Sequence, residues 1–349
     1  GAYTTAENCS NGGGWMPYIV TYQNVLDGDW SRSMASHEYN HAQQYSYGSG
    51  HKFWYWEATA TYIQELVHPS ANWWSPYVVE GYTKQPDIGM EESSQQDPKI
   101  FSHMYGMAVW PFYLDQHVGG PDLVLATWQY ARSHGDQYDL DMDVVIEDHD
   151  LDWEETYAGF MAANTVFDYE DRQYYGNIKL MDTVRDFPES GGENSPPDKW
   201  GQDYVEIDLD DVKGQDLVLE FSADKGGDWY VLLVGTASAY VMETVRVDLS
   251  DGEGEGRLTD TNRFSKAFLV VSPDRDNAGS YSWDLSLEDP DAEVSDDTDD
   301  GYDTNPPAIP GEGDTTRLTT AGACGCAGGP LVPGAALVLL GLAAVRRRT

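Results

Sequence analysis

Apolar residues recur along this chain with two different periods, and the change of period divides it. From residue 200 to 287, β-branched and aromatic residues alternate with polar ones in six short runs, YVEIDL, LVLEFS, WYVLLVG, YVMETVRVDL, AFLVVS and YSWDLSL. The turn-forming stretches KGQD, DKGGD, DGEGEG and DRDNAG punctuate them. That pattern predicts a small antiparallel β-sandwich of six to eight strands. After an opening strand at 17–25, the first 175 residues carry mostly helical spacing, and they hold all eight histidines.

A third kind of segment closes the chain. Residues 331–345 read LVPGAALVLLGLAAV, and the uncharged stretch reaches back to Ala327, giving nineteen residues, close to the roughly 20 that a bilayer-spanning helix needs. Arg346, Arg347 and Arg348 follow at once, which predicts a cytoplasmic C-terminus and an exported body. The preceding DPDAEVSDDTDDGYDTNPPAIPGEGDTT has no apolar period, so it reads as a self-repelling, extended linker. Four regions result: 1–175 mainly helical, 176–287 sandwich, 288–322 acidic disordered linker, and 323–349 sorting signal or membrane anchor.

Charge changes the picture by exclusion. Twenty Lys and Arg stand against 60 Asp and Glu, a net charge of −40, which rules against binding nucleic acid through its phosphates. The excess is spread over both folded regions as well as the linker, consistent with either a high-salt surface or an ordinary acidic secreted protein. It favours basic peptides as partners, a preference that high salt would screen. Three cysteines, Cys9, Cys324 and Cys326, are too few for a disulfide framework. Absence of a Met-led leader before Gly1 leads us to expect a removed signal peptide or a fragment.

The candidate chemistry lies in Ser36-His37-Glu38-Tyr39-Asn40-His41, which contains H-E-x-x-H. On a helix, residues i and i+4 share a face, so His37 and His41 can point at one ion with Glu38 beside them as a base. Ser31 or Asp29 is placed to cap that helix. Sixteen residues after His41 comes Glu57, inside a second helical stretch from about residue 53 to 66. Gly48 and Gly50 supply the turn that folds it back antiparallel, so Glu57 faces the histidines. His51, His68 and Glu65 are the rival third ligands.

With its W-x-x-E-(small)-x-A setting around Glu57, this arrangement resembles the gluzincins, zinc metallopeptidases that combine H-E-x-x-H with a Glu on the next helix. The resemblance implies Zn2+ held by His37, His41 and Glu57, with Glu38 as general base for a zinc-activated water. Two departures stand out: the interval to Glu57 is short, implying a trimmed helical hairpin, and the acid often found four residues after the third ligand is Thr61 here. Some gluzincins place a Tyr or His over the site from a downstream helix, so Tyr105 and His103 are candidates for the oxyanion. Separately, Ala323-Cys324-Gly325-Cys326-Ala327-Gly328-Gly329 with the apolar run and terminal arginines resembles the MYXO-CTERM sorting signals of myxobacteria and relatives, implying a processing enzyme as partner and cell-surface display.

The acidic run Asp139, Asp141, Asp143, Glu147, Asp148, Asp150 and Asp152 could hold a structural Ca2+, although Val144 stands where a calcium loop wants Gly, which favours a solvated face. Trp54, Trp56, Trp73 and Trp74 fill a core or line a cleft. The expected whole is α+β: a mainly helical zincin-like domain with a small N-terminal sheet, followed by an antiparallel sandwich. Its expected function is zinc-dependent hydrolysis of peptide bonds at the cell surface. The alternative is an inactive zincin scaffold that binds a surface partner through the sandwich.

Overall fold

The computed structural model describes residues 2–8, 15–21, 28–48, 50–135, 139–212, 214–224 and 228–290. Cys9, Cys324, Cys326, most of the linker and the whole C-terminal tail lie outside these residues. Among the described residues, no helix is long and apolar enough to cross a membrane.

The N-terminal part opens with a hairpin rather than the single strand expected at 17–25. β1 (Ala2–Asn8) pairs antiparallel with β2 (Trp15–Thr21), and both lie against α1 (Asp29–Tyr47). Among the described side chains none caps α1: its N-cap position is Gly28, and the Ser31 hydroxyl lies inside the first turn, where it donates to the Gly28 carbonyl at 2.6 Å. α2 (Phe53–Val67) follows after five residues, confirming a short helical hairpin. Gly48 makes that turn with φ +103°, a conformation that favours glycine, and a Cβ on Gly50 would lie 2.8 Å from the Gly135 backbone.

Downstream, α3 (Ser75–Val78) runs into a π-helical turn, Val79–Thr83; α4 spans Pro98–Gly106, and α5 (Val109–Tyr113) runs into a second π turn, Leu114–Gly119. The helical part ends with α6 (Gly120–His134), α7 (Met142–Glu147) and α8 (Trp153–Asn164). Pro98 sits in the first turn of α4, and the Asp97 carboxylate accepts from the N–H groups of Lys99 and Ile100, a complete N-terminal cap.

Residues 182–288 form two packed sheets, a β-sandwich. One has the order β3 (Asp182–Val184), β5 (Asp203–Asp208), β10 (Lys266–Pro273), β7 (Trp229–Ala237), β8 (Tyr240–Arg246). The other runs β4 (Glu189–Glu193), β11 (Tyr281–Glu288), β6 (Asp216–Ala223), β9 (Glu253–Leu258). All pairings are antiparallel except β3 with β5. All six expected strands form, but three more appear. Among these, β4 and β9 are glycine-rich edges, and β9 falls on the DGEGEG stretch that reads as a turn in sequence. The Trp283 ring lies over Gly191, where a Cβ would come within 2.2 Å, so the glycine there is a packing requirement.

The inner strands of the five-stranded sheet, β5, β10 and β7, are buried on both faces. Val205, Ile207, Val231, Leu233, Leu269 and Val271 point into the sandwich, while Tyr204, Tyr230, Leu232, Val234, Phe268 and Val270 join Trp153, Tyr157 and Phe160 of α8 in the helical core. The unbroken apolar run of β7, WYVLLVG, was the sign of this: a strand with one wet face alternates, whereas one buried twice does not. The two sheets of the sandwich are therefore the second and third layers of a helix–sheet–sheet stack.

A buried polar network ties the layers together. Gln202 accepts from the hydroxyls of Tyr82 (2.5 Å) and Tyr204 (3.2 Å) and donates to the Tyr157 hydroxyl (2.7 Å). Asn164 donates to Tyr82 and accepts from Tyr169. Removing Gln202 takes the amide acceptor from the Tyr82 and Tyr204 hydroxyls and leaves these two only each other and Asn164, whereas Tyr157 keeps the Trp200 carbonyl and Ser272. The Gln202→Ala variant is expected to lose about 1–3 kcal/mol for each polar group left unsatisfied. Urea unfolding followed by tryptophan fluorescence should also show one transition for both halves; two separate transitions would refute the shared core.

Candidate metal centre

α1 presents one face to α2, and the helical period sets which residues share it. His37 and His41 lie one turn apart on α1, and Glu57 comes from the first half of α2. The Nε2 of His37 stands 3.0 Å from that of His41 and 3.1 Å from Glu57 Oε2, with His41 Nε2 to Glu57 Oε2 at 3.4 Å. Among the described residues this is the only group of three His, Cys, Asp or Glu side chains whose ligand atoms converge in this way, all within 4.8 Å. Donor atoms about 2.0–2.1 Å from a tetrahedral ion would lie roughly 3.3 Å from one another, so the three atoms fit one metal ion. Their side chains are 8%, 12% and 18% exposed, which leaves a solvent-facing side for a further ligand.

Electrostatics within the group agree with the geometry. Burial alone would raise the Glu57 carboxyl, but the His41 and His37 rings overcome this and hold it well below the usual carboxylate range. Burial would lower His41, yet the Glu57 carboxylate outweighs it and raises the imidazole above its ordinary value.

The neighbours include residues that the sequence did not single out. Gln44, one turn beyond His41, brings its Oε1 to 2.6 Å from His41 Nδ1. Gln64, two turns beyond Glu57, stands with its Nε2 2.8 Å from His37 Nδ1. These amides occupy the place of the missing acid at Thr61, and the helical period could have found them, since i+3 and i+7 return to the ligand face. From β1, Thr4 Oγ1 lies 2.8 Å from both Glu38 Oε2 and the Glu38 carbonyl oxygen. No sequence spacing reveals that contact.

The two candidates on α4 separate. The Tyr105 ring stacks on His37 at 5.7 Å, and burial together with Glu57, which accepts the phenol's hydrogen bond, pushes its pKa far up, so it keeps its proton. Exposed Tyr77 and Phe101 flank it, each with ring centres 5.1 Å away. Gly106 makes the position possible: a Cβ there would lie 2.4 Å from the Tyr82 nitrogen, so α4 approaches the Val79–Thr83 turn backbone to backbone. His103, two residues from Tyr105, falls on the opposite side of the helix; it is fully buried, and its Nε2 meets the Gly89 carbonyl at 3.1 Å. The expectation of a role for His103 at the oxyanion is corrected by that placement.

The rival ligands are elsewhere. His51 is buried with Nε2 3.0 Å from the Thr127 carbonyl, and His68 caps the end of α2. Neither these nor Glu65 joins the converging group. No three carboxylates of the 139–152 run converge among the described residues, where Asp141 instead pairs with Lys52 and residues 142–147 are helical. Trp54, Trp56 and Trp74 are core residues, and Trp73 is 40% exposed.

No family model matches this sequence, and no curated protein matches it. Among solved structures, the chain is similar to a crystal structure of the pre-peptidase C-terminal domain of a collagenase from Bacillus anthracis. The match has 11% identity and a TM-score of 0.23, and it covers 32% of this chain and all of that one.

Burial lowers the pKa of both His51 and His103 to about 4. Each binds its proton less readily folded than unfolded, so the unfolded state takes up more protons between pH 6.5 and 4 and stability falls as pH drops through that window. Melting temperatures of wild type and His103→Gln across this range should converge as pH falls, because the variant lacks one of the two acid-sensitive groups. Parallel curves would count against the assignment.

Proposed function

We propose that the protein is a zinc metallopeptidase acting at the cell surface, and the observation that carries this reading is the convergence of His37, His41 and Glu57 beside Glu38. Two imidazoles and one carboxylate are a donor set suited to zinc in a hydrolytic site, where a position stays open. When bound, zinc supplies Lewis-acid polarisation of a carbonyl and makes water more acidic.

The remaining steps belong to the chain. Glu38, nearly buried and with one carboxylate oxygen engaged by Thr4, takes a proton from the attacking water and delivers it to the leaving amine. Tyr105, protonated and stacked on His37, donates its hydroxyl to the oxygen that gains charge as the carbonyl becomes tetrahedral. Exposed Tyr77 and Phe101 give the substrate chain an aromatic wall next to that centre. Surface display rests on the apolar, arginine-ended tail.

Purified protein is expected to carry one zinc per chain by elemental analysis. Glu38→Gln should keep the metal and the fold but lose about 10²–10⁴-fold in cleavage of a peptide library. Absence of stoichiometric zinc, or full proteolysis by the variant, would overturn the reading.

A further inference from the structure

The hydrogen bonds behind His41 form a chain whose polarity is fixed at its far end. The Tyr55 carbonyl can only accept, and the Thr59 hydroxyl lies 2.6 Å from it, so Thr59 spends its one proton there. Its oxygen is then an acceptor, and Gln44 Nε2 donates to it at 2.8 Å. The second proton of the same nitrogen goes to the Trp56 carbonyl at 3.0 Å, again an obligate acceptor. Both contacts demand the NH2 end of the amide, so the oxygen of Gln44 must face His41. A carbonyl oxygen only accepts; His41 Nδ1, 2.6 Å away, must therefore carry the proton.

A neutral imidazole has one N–H, so a proton on Nδ1 leaves Nε2 with its lone pair, aimed at Glu57 and His37. The contact between the two Nε2 atoms, at 3.0 Å, then needs its proton from His37. That agrees with Gln64, whose Nε2 faces His37 Nδ1 as a donor to an acceptor. The two histidines of the metal-free group thus hold opposite tautomers.

We infer that Gln44 is a positioning residue that presets His41 as a metal-ready ligand, through a directional relay from the Tyr55 and Trp56 carbonyls by way of Thr59. His37 has to exchange its tautomer on loading, whereas His41 does not. The inference rests on the metal-site reading above and concerns the metal-free ring as well. Gln44 is almost wholly buried and has all its polar atoms committed, so it cannot turn over to serve the other tautomer without breaking two hydrogen bonds.

The test uses the full chain, metal-free, at alkaline pH where the imidazoles are neutral. Nitrogen-15 shifts of the histidine rings should show His41 protonated on Nδ1 and His37 on Nε2. Gln44→Met, which keeps the length of the side chain and removes both polar ends, should abolish the His41 preference. It should also weaken zinc binding, measured by competition with a chelator, about 10–100-fold. Thr59→Val breaks the relay one step back and should give a smaller loss in the same direction, which serves if the methionine variant does not fold. A wild-type His41 protonated on Nε2, or variants with unchanged tautomer and zinc affinity within twofold of wild type, would overturn the inference. Wild-type protein that shows the expected tautomers but binds no zinc would sink the peptidase proposal and leave the relay standing.

Discussion

The site depends on the register in which α1 and α2 run past each other. A slide of one residue along either helix turns a side chain by about 100° and would carry Glu57 off the face that meets the histidines. Gln44 holds the register where it matters, since it reaches from α1 to Trp56 and Thr59, immediately before and two residues after Glu57. The same side chain touches His41, so the lock on the helix pair and the lock on the ligand are one set of hydrogen bonds. Gly48, with its positive φ, lets the connection be short enough to leave the helices little freedom to slip.

A second constraint keeps that helix pair where it is. The helical layer could not close its own core: α8 turns Tyr157 and Phe160 toward a sheet that supplies Tyr204, Tyr230 and Phe268 from the other side. Polar groups at this seam are buried without water-facing alternatives, and they are satisfied by Gln202 from the sheet and Asn164 from the helix. Such a network favours one docking arrangement over its neighbours, because each slipped arrangement leaves a hydroxyl or amide unpaired. The helical layer that carries the converging group therefore takes its rigidity in part from the sandwich, although no sandwich residue belongs to that group.

What the sequence made legible follows from the range of each interaction. His37, Glu38, His41 and Glu57 could be named because helical spacing and one short turn bring them together, all within 21 residues. Tyr105 and His103 were indistinguishable as ring-bearing residues on one helix until the burial of each face was known; 200° of helical rotation separates them. Thr4 could not be found, since its contact with Glu38 depends on a hairpin docking across 34 residues. The sandwich strands were readable from alternation except at the glycine-rich edges. The two-faced burial of β7 and β10 was present as unbroken apolar runs, yet such a run is equally compatible with other buried elements.

The amides beside the histidines make sense against the chain's charge. With 60 acidic residues available, neither ring at the converging group has a carboxylate on its Nδ1; Gln44 and Gln64 stand there. Glu57 and Glu38 already place two carboxylates in a partly desolvated space, and two more would raise one another's pKa until some took up protons. A protonated acid at Gln44 would present a donor and an acceptor that could exchange places, and the polarity of the relay would be lost. A neutral amide held by two carbonyl-directed contacts keeps its orientation whether or not a cation is present. In a protein this acidic, the converging group would therefore offer His41 in the form a cation needs.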